Sequence, residues 1–255
     1  MKKVLDIEKL KQDLQDNLTT KQIADKYACS TSAVLRTCKR NGLCLPHKPQ
    51  QVHTRNKHFD TSFFNTIDSE EKAYILGFIA ADGGLDRNWG CKIKLHPKDS
   101  DILVKIASVM HCDYSPVLVE NNTRISLGLY SIELVNDLAK YGIVNNKTKL
   151  VPFAENVPDE FIIHYMRGAF DGDGSIGSER RTAKFVTGSK PFRDGFIEWY
   201  SARYGRVPWN KLEGSTKYRF SFNLSDKPFL DDMYANAKIS LDRKQFLYDK
   251  WYRNL

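Results

Sequence analysis

A twelve-residue stretch occurs twice in this chain, and the duplication limits what the chain can fold into. The first copy is YILGFIAADGGL, Tyr74 to Leu85, and the second is YMRGAFDGDGSI, Tyr165 to Ile176. Aligning the terminal Asp-Gly pairs sets Asp82 over Asp173, Gly77 over Gly168 and Gly83 over Gly174, an offset of 91 residues. That offset is the size of a small domain, so the chain reads as an internal repeat.

Each copy predicts a helix rich in small residues that ends in an acidic turn. Gly77, Ala80 and Ala81 thin one face of the first helix, and Gly168, Ala169 and Gly172 thin the second. Glycine inside a helix costs about 1 kcal/mol relative to alanine, so its presence points to a second backbone passing close by. If the thin faces pack together, Asp82 and Asp173 end side by side. Two carboxylates that close repel and at least one pKa rises, and a divalent cation between them relieves the repulsion. The alternative is a pair of Asp-Gly turns that only end helices.

The paired motif resembles the signature of the LAGLIDADG homing endonucleases in their single-chain, two-motif form. ILGFIAADG, Ile75 to Gly83, matches the first motif, and MRGAFDGDG, Met166 to Gly174, the second. The resemblance covers about Phe63 to Leu255 and implies an α+β fold of two pseudo-symmetric halves, whose saddle-shaped antiparallel sheets lie over the DNA major groove. It implies site-specific hydrolysis of both strands of a long asymmetric DNA target. Asp82 and Asp173 become the catalytic metal ligands, with carbonyl ligands at Ala81 and Gly172. Mg²⁺ is the implied cofactor, with Mn²⁺ substituting and Ca²⁺ binding without supporting cleavage. A basic residue near each scissile phosphate is also implied; the positional candidates are Lys147 in NNKTKL and Lys244 in LDRKQF, with Lys94 orienting solvent or phosphate in the first site. Phosphate-tracking or solvated lysines are the alternative for all three. The chain departs from the pattern at Ala80, where the family often has an earlier Asp, while Asp171 keeps it.

Charge supports a polyanionic partner. The 255 residues hold 39 Lys plus Arg against 31 Asp plus Glu, a net of +8. Residues 1–60 account for 12 and 6 of these, a net of +6, leaving 27 and 25, a net of +2, for the rest. The basic bias is therefore concentrated at the front. Five cysteines without a CxxC pair support neither a disulfide framework nor a structural zinc site. They fit a reducing compartment, expected to be the cytoplasm or nucleoid of a bacterial or phage-infected host, with an organelle left open. MKKVLDIEKLKQD has no long apolar core and no 18-residue apolar run follows, so neither a secretory signal nor a membrane span is expected.

Four segments follow. Residues 1–45 resemble a helix-turn-helix domain: an amphipathic helix from Leu5 to Leu14, a helix capped by Thr20, a turn at Ala28–Ser30 and a second helix from about Thr31 to Lys39. That helix would offer Thr31, Ser32, Arg36 and Lys39 to DNA; a helical hairpin with a solvated basic face is the alternative. Residues 46–65, with Arg55 and Lys57, read as a basic linker crossing the phosphate backbone or minor groove, anchored by Phe63 and Phe64; a plain solvated tether is the alternative. Residues 66–152 form the first repeat and 153–255 the second. Asp68 is expected to cap the first motif helix and Asp226 a later one.

Alternation in the strands sets Lys92, Lys94 and His96 opposite Cys91, Ile93 and Leu95, and Arg124 and Ser126 opposite Ile125, Leu127 and Leu129. In the second repeat Thr182 and Lys184 lie on one strand, and Arg219, Ser221 and Asn223 oppose Phe220, Phe222 and Leu224. These polar faces carry side chains that hydrogen-bond to base edges; ordinary half-solvated sheets are the alternative. With both motifs in one chain, a monomer without an obligate protein partner is expected. Other classes remain: an RNA-binding intron maturase, or a DNA-binding regulator that does not cleave. An intein lacks support, because no nucleophile begins the chain and it ends in Arg-Asn-Leu.

Overall fold

A computed structural model describes residues 5–16, 18, 20–41, 43, 58–86 and 90–255. The chain divides into two compact units, Met1–Asn56 and Lys57–Leu255.

Among its described residues the first unit holds three helices, α1 (Ile7–Gln15), α2 (Thr20–Lys26) and α3 (Thr31–Arg40). Asp6 caps α1, and Ser30 caps α3 by accepting from Ala33 N. Thr20 is the first helical residue of α2 rather than its cap. Leu5, Leu10, Leu14, Ile23, Ala24, Val34 and Cys38 form the core. The turn between α2 and α3 puts Ala28 at φ 47°. Ala24 of α2 and Val34 of α3 both lie in that core.

The second unit is a duplicated α/β structure. Its two longest-shared partners are the motif helices, α4 (Glu70–Asp82) and α7 (Ile162–Asp173), which pack on each other more extensively than any other pair of elements. Ser69, not Asp68, caps α4; its hydroxyl accepts from Lys72 N, and Asp68 pairs with the Lys72 ammonium. Serine is one residue nearer the helix and reaches the orphan amide directly. Pro158 opens a short 3₁₀ turn, Asp159–Phe161, that leads into α7.

Each motif helix feeds a four-stranded antiparallel sheet. The first contains β1 (Gly83–Asp86), β2 (Gly90–Leu95), β3 (Val117–Val119) and β4 (Arg124–Tyr130), in the order β1-β2-β4-β3. The second contains β5 (Gly174–Ile176), β6 (Ala183–Thr187), β7 (Asn210–Glu213) and β8 (Lys217–Phe222), in the matching order β5-β6-β8-β7. The remaining helices are α5 (Ser100–Val109), α6 (Ile132–Lys140), α8 (Lys190–Tyr204), α9 (Lys227–Tyr234) and α10 (Asp242–Trp251). One continuous core runs through both repeats and is aromatic in the second, where Phe185, Phe196, Phe220, Phe222 and Phe229 pack together.

Residues 58–65 belong to this unit rather than to a linker. His58 N donates to Asp113 Oδ1 at 2.8 Å, Asp60 N donates to Met110 O at 3.0 Å, and Phe63 and Phe64 are buried.

The repeats are stitched together beyond the motif helices. Lys105 on α5 donates to Ser240 O at 2.9 Å, Asp242 N donates to Asp101 Oδ2 at 3.1 Å, and Arg243 pairs with Asp99 at 2.6 Å. Reciprocally, the Ser189 hydroxyl at the start of α8 donates to Val151 O at 2.6 Å. Each closing segment of one repeat is thus held by the helix start of the other.

Candidate functional site

The site is built where α4 and α7 end. Glycine sets how close they run. A methyl placed at Gly77 would strike the Tyr165 carbonyl oxygen and lie 2.8 Å from its carbon. A methyl at Gly168 would strike the Tyr74 carbonyl oxygen and lie 2.8 Å from Phe78 N. Gly77 with Tyr165 and Gly168 with Tyr74 are the same contact related by the 91-residue offset. The two backbones touch here, and only hydrogen fits between them.

Further along, a methyl at Gly172 would strike the Ala81 methyl and sit 3.3 Å from Asp82 Oδ2. The two acidic ends are therefore neighbours. Burial raises the Asp82 carboxyl above its ordinary range, although nearby Lys244 and Lys147 oppose the rise. Burial, joined by the Asp82 charge, lifts Asp173 to about 6. The Asp173 side chain reaches solvent, while the protein around it and Asp82 crowd its carboxyl. Crowding by the surrounding protein and by Asp82 accounts for the direction of the shift.

Two buried lysines close the helix ends. Lys147, 8% exposed, donates to Ala80 O at 2.6 Å and to Ala81 O at 3.1 Å. Lys244, fully buried, donates to Phe170 O at 2.6 Å and to Asp171 O at 2.7 Å. These are last-turn carbonyls, where a cation is favoured; that of Phe170 also accepts from Gly174 N. Burial lowers both ammonium pKa values, that of Lys244 to about 8. Asp171 is buried too and accepts from the Tyr74 and Tyr234 hydroxyls and from Leu241 N, at 2.6–2.8 Å. It is a packed anchor for the start of α10.

On the first-repeat side the junction opens into a pocket lined by Asp82, Lys94, His96, Lys98, Asp99, Arg124 and Arg243. Lys94 pairs with Glu120 at 2.8 Å, and both are solvent-exposed. His96 has left the strand: its Nδ1 accepts from Lys98 N at 3.2 Å, capping the 3₁₀ turn Pro97–Asp99.

The expected nucleic-acid residues divide. Arg124 and Lys184 are exposed, and Lys92 lies over the Tyr130 ring. Ser126 is only 8% exposed, because neighbouring strands cover so short a side chain. Arg219 pairs with Glu213 and lies over Trp209; Ser221 is half-buried. Thr182 and Asn223 fall outside the strands. Thr182 closes the turn that Gly177 N enters, and Asn223 Oδ1 caps a 3₁₀ turn by accepting from Ser225 N. Asp226 serves that same turn, accepting from Asn223 N, rather than capping α9. Leu224 is exposed rather than inward. In the first unit Thr31, Ser32 and Arg36 are exposed on α3. The Lys39 side chain, Arg55 and Lys57 lie outside the described residues.

Strand pairing also places residues that alternation overlooked. Lys211 pairs with Arg219, putting both on the solvent face, and Ser221 N donates to Trp209 O. Arg243 and Asp99 enter the pocket from different repeats. The basic pair in LDRKQF was the one available signal for Arg243, while nothing in sequence marks Asp99.

No known family profile matches the chain. It is similar to the DNA-directed RNA polymerase subunit Rpo1C of Methanocaldococcus jannaschii, 27% identical over 129 residues that cover 48% of this chain and 14% of that protein. The chain thus spans only a small part of the curated relative it matches. Among solved structures, the homing endonuclease I-WcaI bound to its DNA recognition sequence aligns with a TM-score of 0.54 and 14% identity over 72% of this chain and 90% of that one. The meganuclease I-SmaMI bound to uncleavable DNA aligns at 0.50 with 12% identity over 72% and 88%. The N-terminal LAGLIDADG domain of DUF199/WhiA aligns at 0.47 with 15% identity over 72% and 92%. Residues that position two helices, two matched sheets and two acidic helix ends therefore sit on a duplicated LAGLIDADG-type fold.

Proposed function

We propose that this chain binds double-stranded DNA through its two sheets and hydrolyses one phosphodiester bond on each strand between them, acting as a monomer. The observation that supports this most is the pairing at the junction. Two carboxylates with raised pKa values stand together, each helix end closed by a buried lysine. Purely structural helix ends have no need of two crowded acids.

Paired carboxylates are the kind of donor a hard divalent cation takes, although among the described residues no group of three or more His, Cys, Asp or Glu is placed to hold a metal. Asp82 and Asp173 would hold it, with the Ala81 and Gly172 carbonyls as the expected further ligands; the Ala81 carbonyl also accepts from Lys147. Bound Mg²⁺ would supply an activated water and neutralise phosphate charge; Mn²⁺ is the expected substitute, and Ca²⁺ the ion that binds without cleavage. The chain's own groups orient the partners: the lysines fix where the two carboxylates stand, and the basic side chains of the sheets fix the DNA.

A second reading keeps the DNA binding and drops the cleavage. What favours it is that the Lys147 and Lys244 ammoniums are already engaged by main-chain carbonyls and Lys94 by Glu120. An RNA-binding maturase on the same fold is a further variant. The test is a plasmid carrying DNA from the gene's own locus, incubated with Mg²⁺ or with chelator and scored for nicked and linear product beside gel shifts on DNA and RNA. Linear product only with Mg²⁺ supports the endonuclease. A specific DNA shift without any break supports the second reading, and a preference for RNA supports the maturase.

A further inference from the structure

The two halves of the junction are not chemically equal. The registers make them comparable residue by residue. Gly83 pairs with Ile93 and Gly174 with Phe185, so Lys94 corresponds to Val186 and His96 to Gly188. Ile93 pairs with Leu127 and Phe185 with Phe220, so Arg124 corresponds to Lys217. Lys147 and Lys244 occupy matching places, so the residue before each, Asn146 and Arg243, also correspond. Counted by repeat the cations at these positions are equal, Lys94 and Arg124 against Lys217 and Arg243, so the balance is decided by where Arg243 stands.

Arg243 is the residue that makes the difference unusual. It belongs to the second repeat but lines the pocket beside Asp82 in the first. Its guanidinium is held by Asp99 through Nε at 2.6 Å and Nη2 at 3.3 Å, yet the side chain is 44% exposed. One edge of the fork is thus fixed and the rest faces the opening. A planar guanidinium presented this way suits a phosphate group better than a solvated lysine does. Asp99 sets its direction from the other repeat. Asn146, the counterpart, stands on a left-handed backbone at φ 59° and brings no charge.

We infer that Arg243 crosses from the second repeat to bind one DNA backbone phosphate in the Asp82 pocket, so that the two strands are gripped and cut unequally. The contact with phosphate rests on DNA binding alone; the unequal cutting rests on the proposed endonuclease activity.

Phosphate ethylation interference on the bound target reads the contact without any chemistry. Ethylation of one central phosphate should weaken binding while its counterpart on the other strand does not, and Arg243→Gln should erase the difference. Cleavage of a duplex labelled on each strand reads the second part. Arg243→Gln should slow one strand by about 30-fold or more, leave the other within about threefold, and accumulate nicked plasmid. Asp99→Asn separates phosphate binding from a mere strut: it weakens the same pairing but keeps the arginine and its charge, so it should slow the affected strand clearly less than Arg243→Gln does. Equal interference at the two central phosphates, or interference unchanged by Arg243→Gln, overturns the inference. So does an equal loss on both strands, or equal losses from the Arg243 and Asp99 variants. If the unaltered protein cuts neither strand, the proposed function fails and the interference pattern alone decides for or against Arg243.

Discussion

Gly77→Ala puts the helix junction to a quantitative test. The new methyl would overlap the Tyr165 carbonyl oxygen and lie 2.8 Å from its carbon and 3.0 Å from Ala169 N. Carbon atoms in contact prefer about 3.5–4.0 Å, so α4 and α7 must open by roughly 1 Å, which forfeits a quarter to a half of the dispersion along the seam. Overpacking of a filled core costs about 1–3 kcal/mol, and a clash against rigid backbone belongs at the top of that range. Alanine returns about 1 kcal/mol of helix propensity. The net loss is then about 2 kcal/mol or more, a large part of a domain's total of roughly 5–15 kcal/mol. Gly168→Ala makes the reciprocal clash with Tyr74 and should cost the same. The pair should be sub-additive, because helices already forced apart by one methyl admit the second more cheaply. Gly84→Ala is the control, since its nearest neighbour, Lys92 O, is 3.9 Å away. Urea unfolding of the four variants measures these values. A Gly77→Ala protein as stable as the original, or fully additive losses, would refute a backbone-to-backbone contact. A shift of about 1 Å at the acidic ends should also cut cleavage about 100-fold.

Asp82→Asn and Asp173→Asn should each abolish linearisation of a target plasmid while a gel shift on the same site stays nearly unchanged; wild-type cutting by either variant removes that residue from the active site. Lys244 titrates at about 8 when folded against 10.5 for the free side chain, so the folded state binds fewer protons between those values and its stability rises with pH across that window. The urea midpoint should therefore climb from pH 8 to 10 more in the original protein than in Lys244→Met, and equal slopes would contradict the assignment. Deleting residues 1–56, which carry 11 basic and 5 acidic side chains for a net of +6, should weaken DNA binding and flatten its salt dependence by about 0.9 log units per lost phosphate contact. An unchanged slope would set the first unit apart from DNA.

Much of this architecture was legible because two periodicities carry it. The repeated glycines report a close helix contact, and the alternation in CKIKLH and KYRFSF reports half-buried strands; both depend on local spacing alone. Errors arose where polar side chains had a local alternative. Ser69 takes the cap that spacing assigns to Asp68, and His96 and Asn223 turn from the strand faces to cap adjoining turns. Short polar side chains compete for nearby amides, and spacing does not say which wins. The site was legible only in part. Asp82 and Asp173 follow from the motif, but Arg243 and Asp99 meet across 144 positions of sequence, and no local pattern encodes a meeting at that range.

The reciprocal stitching between repeats has a consequence for how such a protein can be taken apart. Ser240 to Arg243 lean on α5 of the other repeat, and Val151 leans on Ser189. Each lysine-bearing segment is therefore held by the other half as well as by its own. A half expressed by itself would leave its closing segment without its anchors and its thin helix face exposed to water. Two halves supplied as separate fragments would instead be expected to find each other and restore the contacts that cross between them. The molecule behaves as a pair of subunits that happen to share a chain, and neither can be exchanged for a second copy of its partner without losing the contacts that hold it shut.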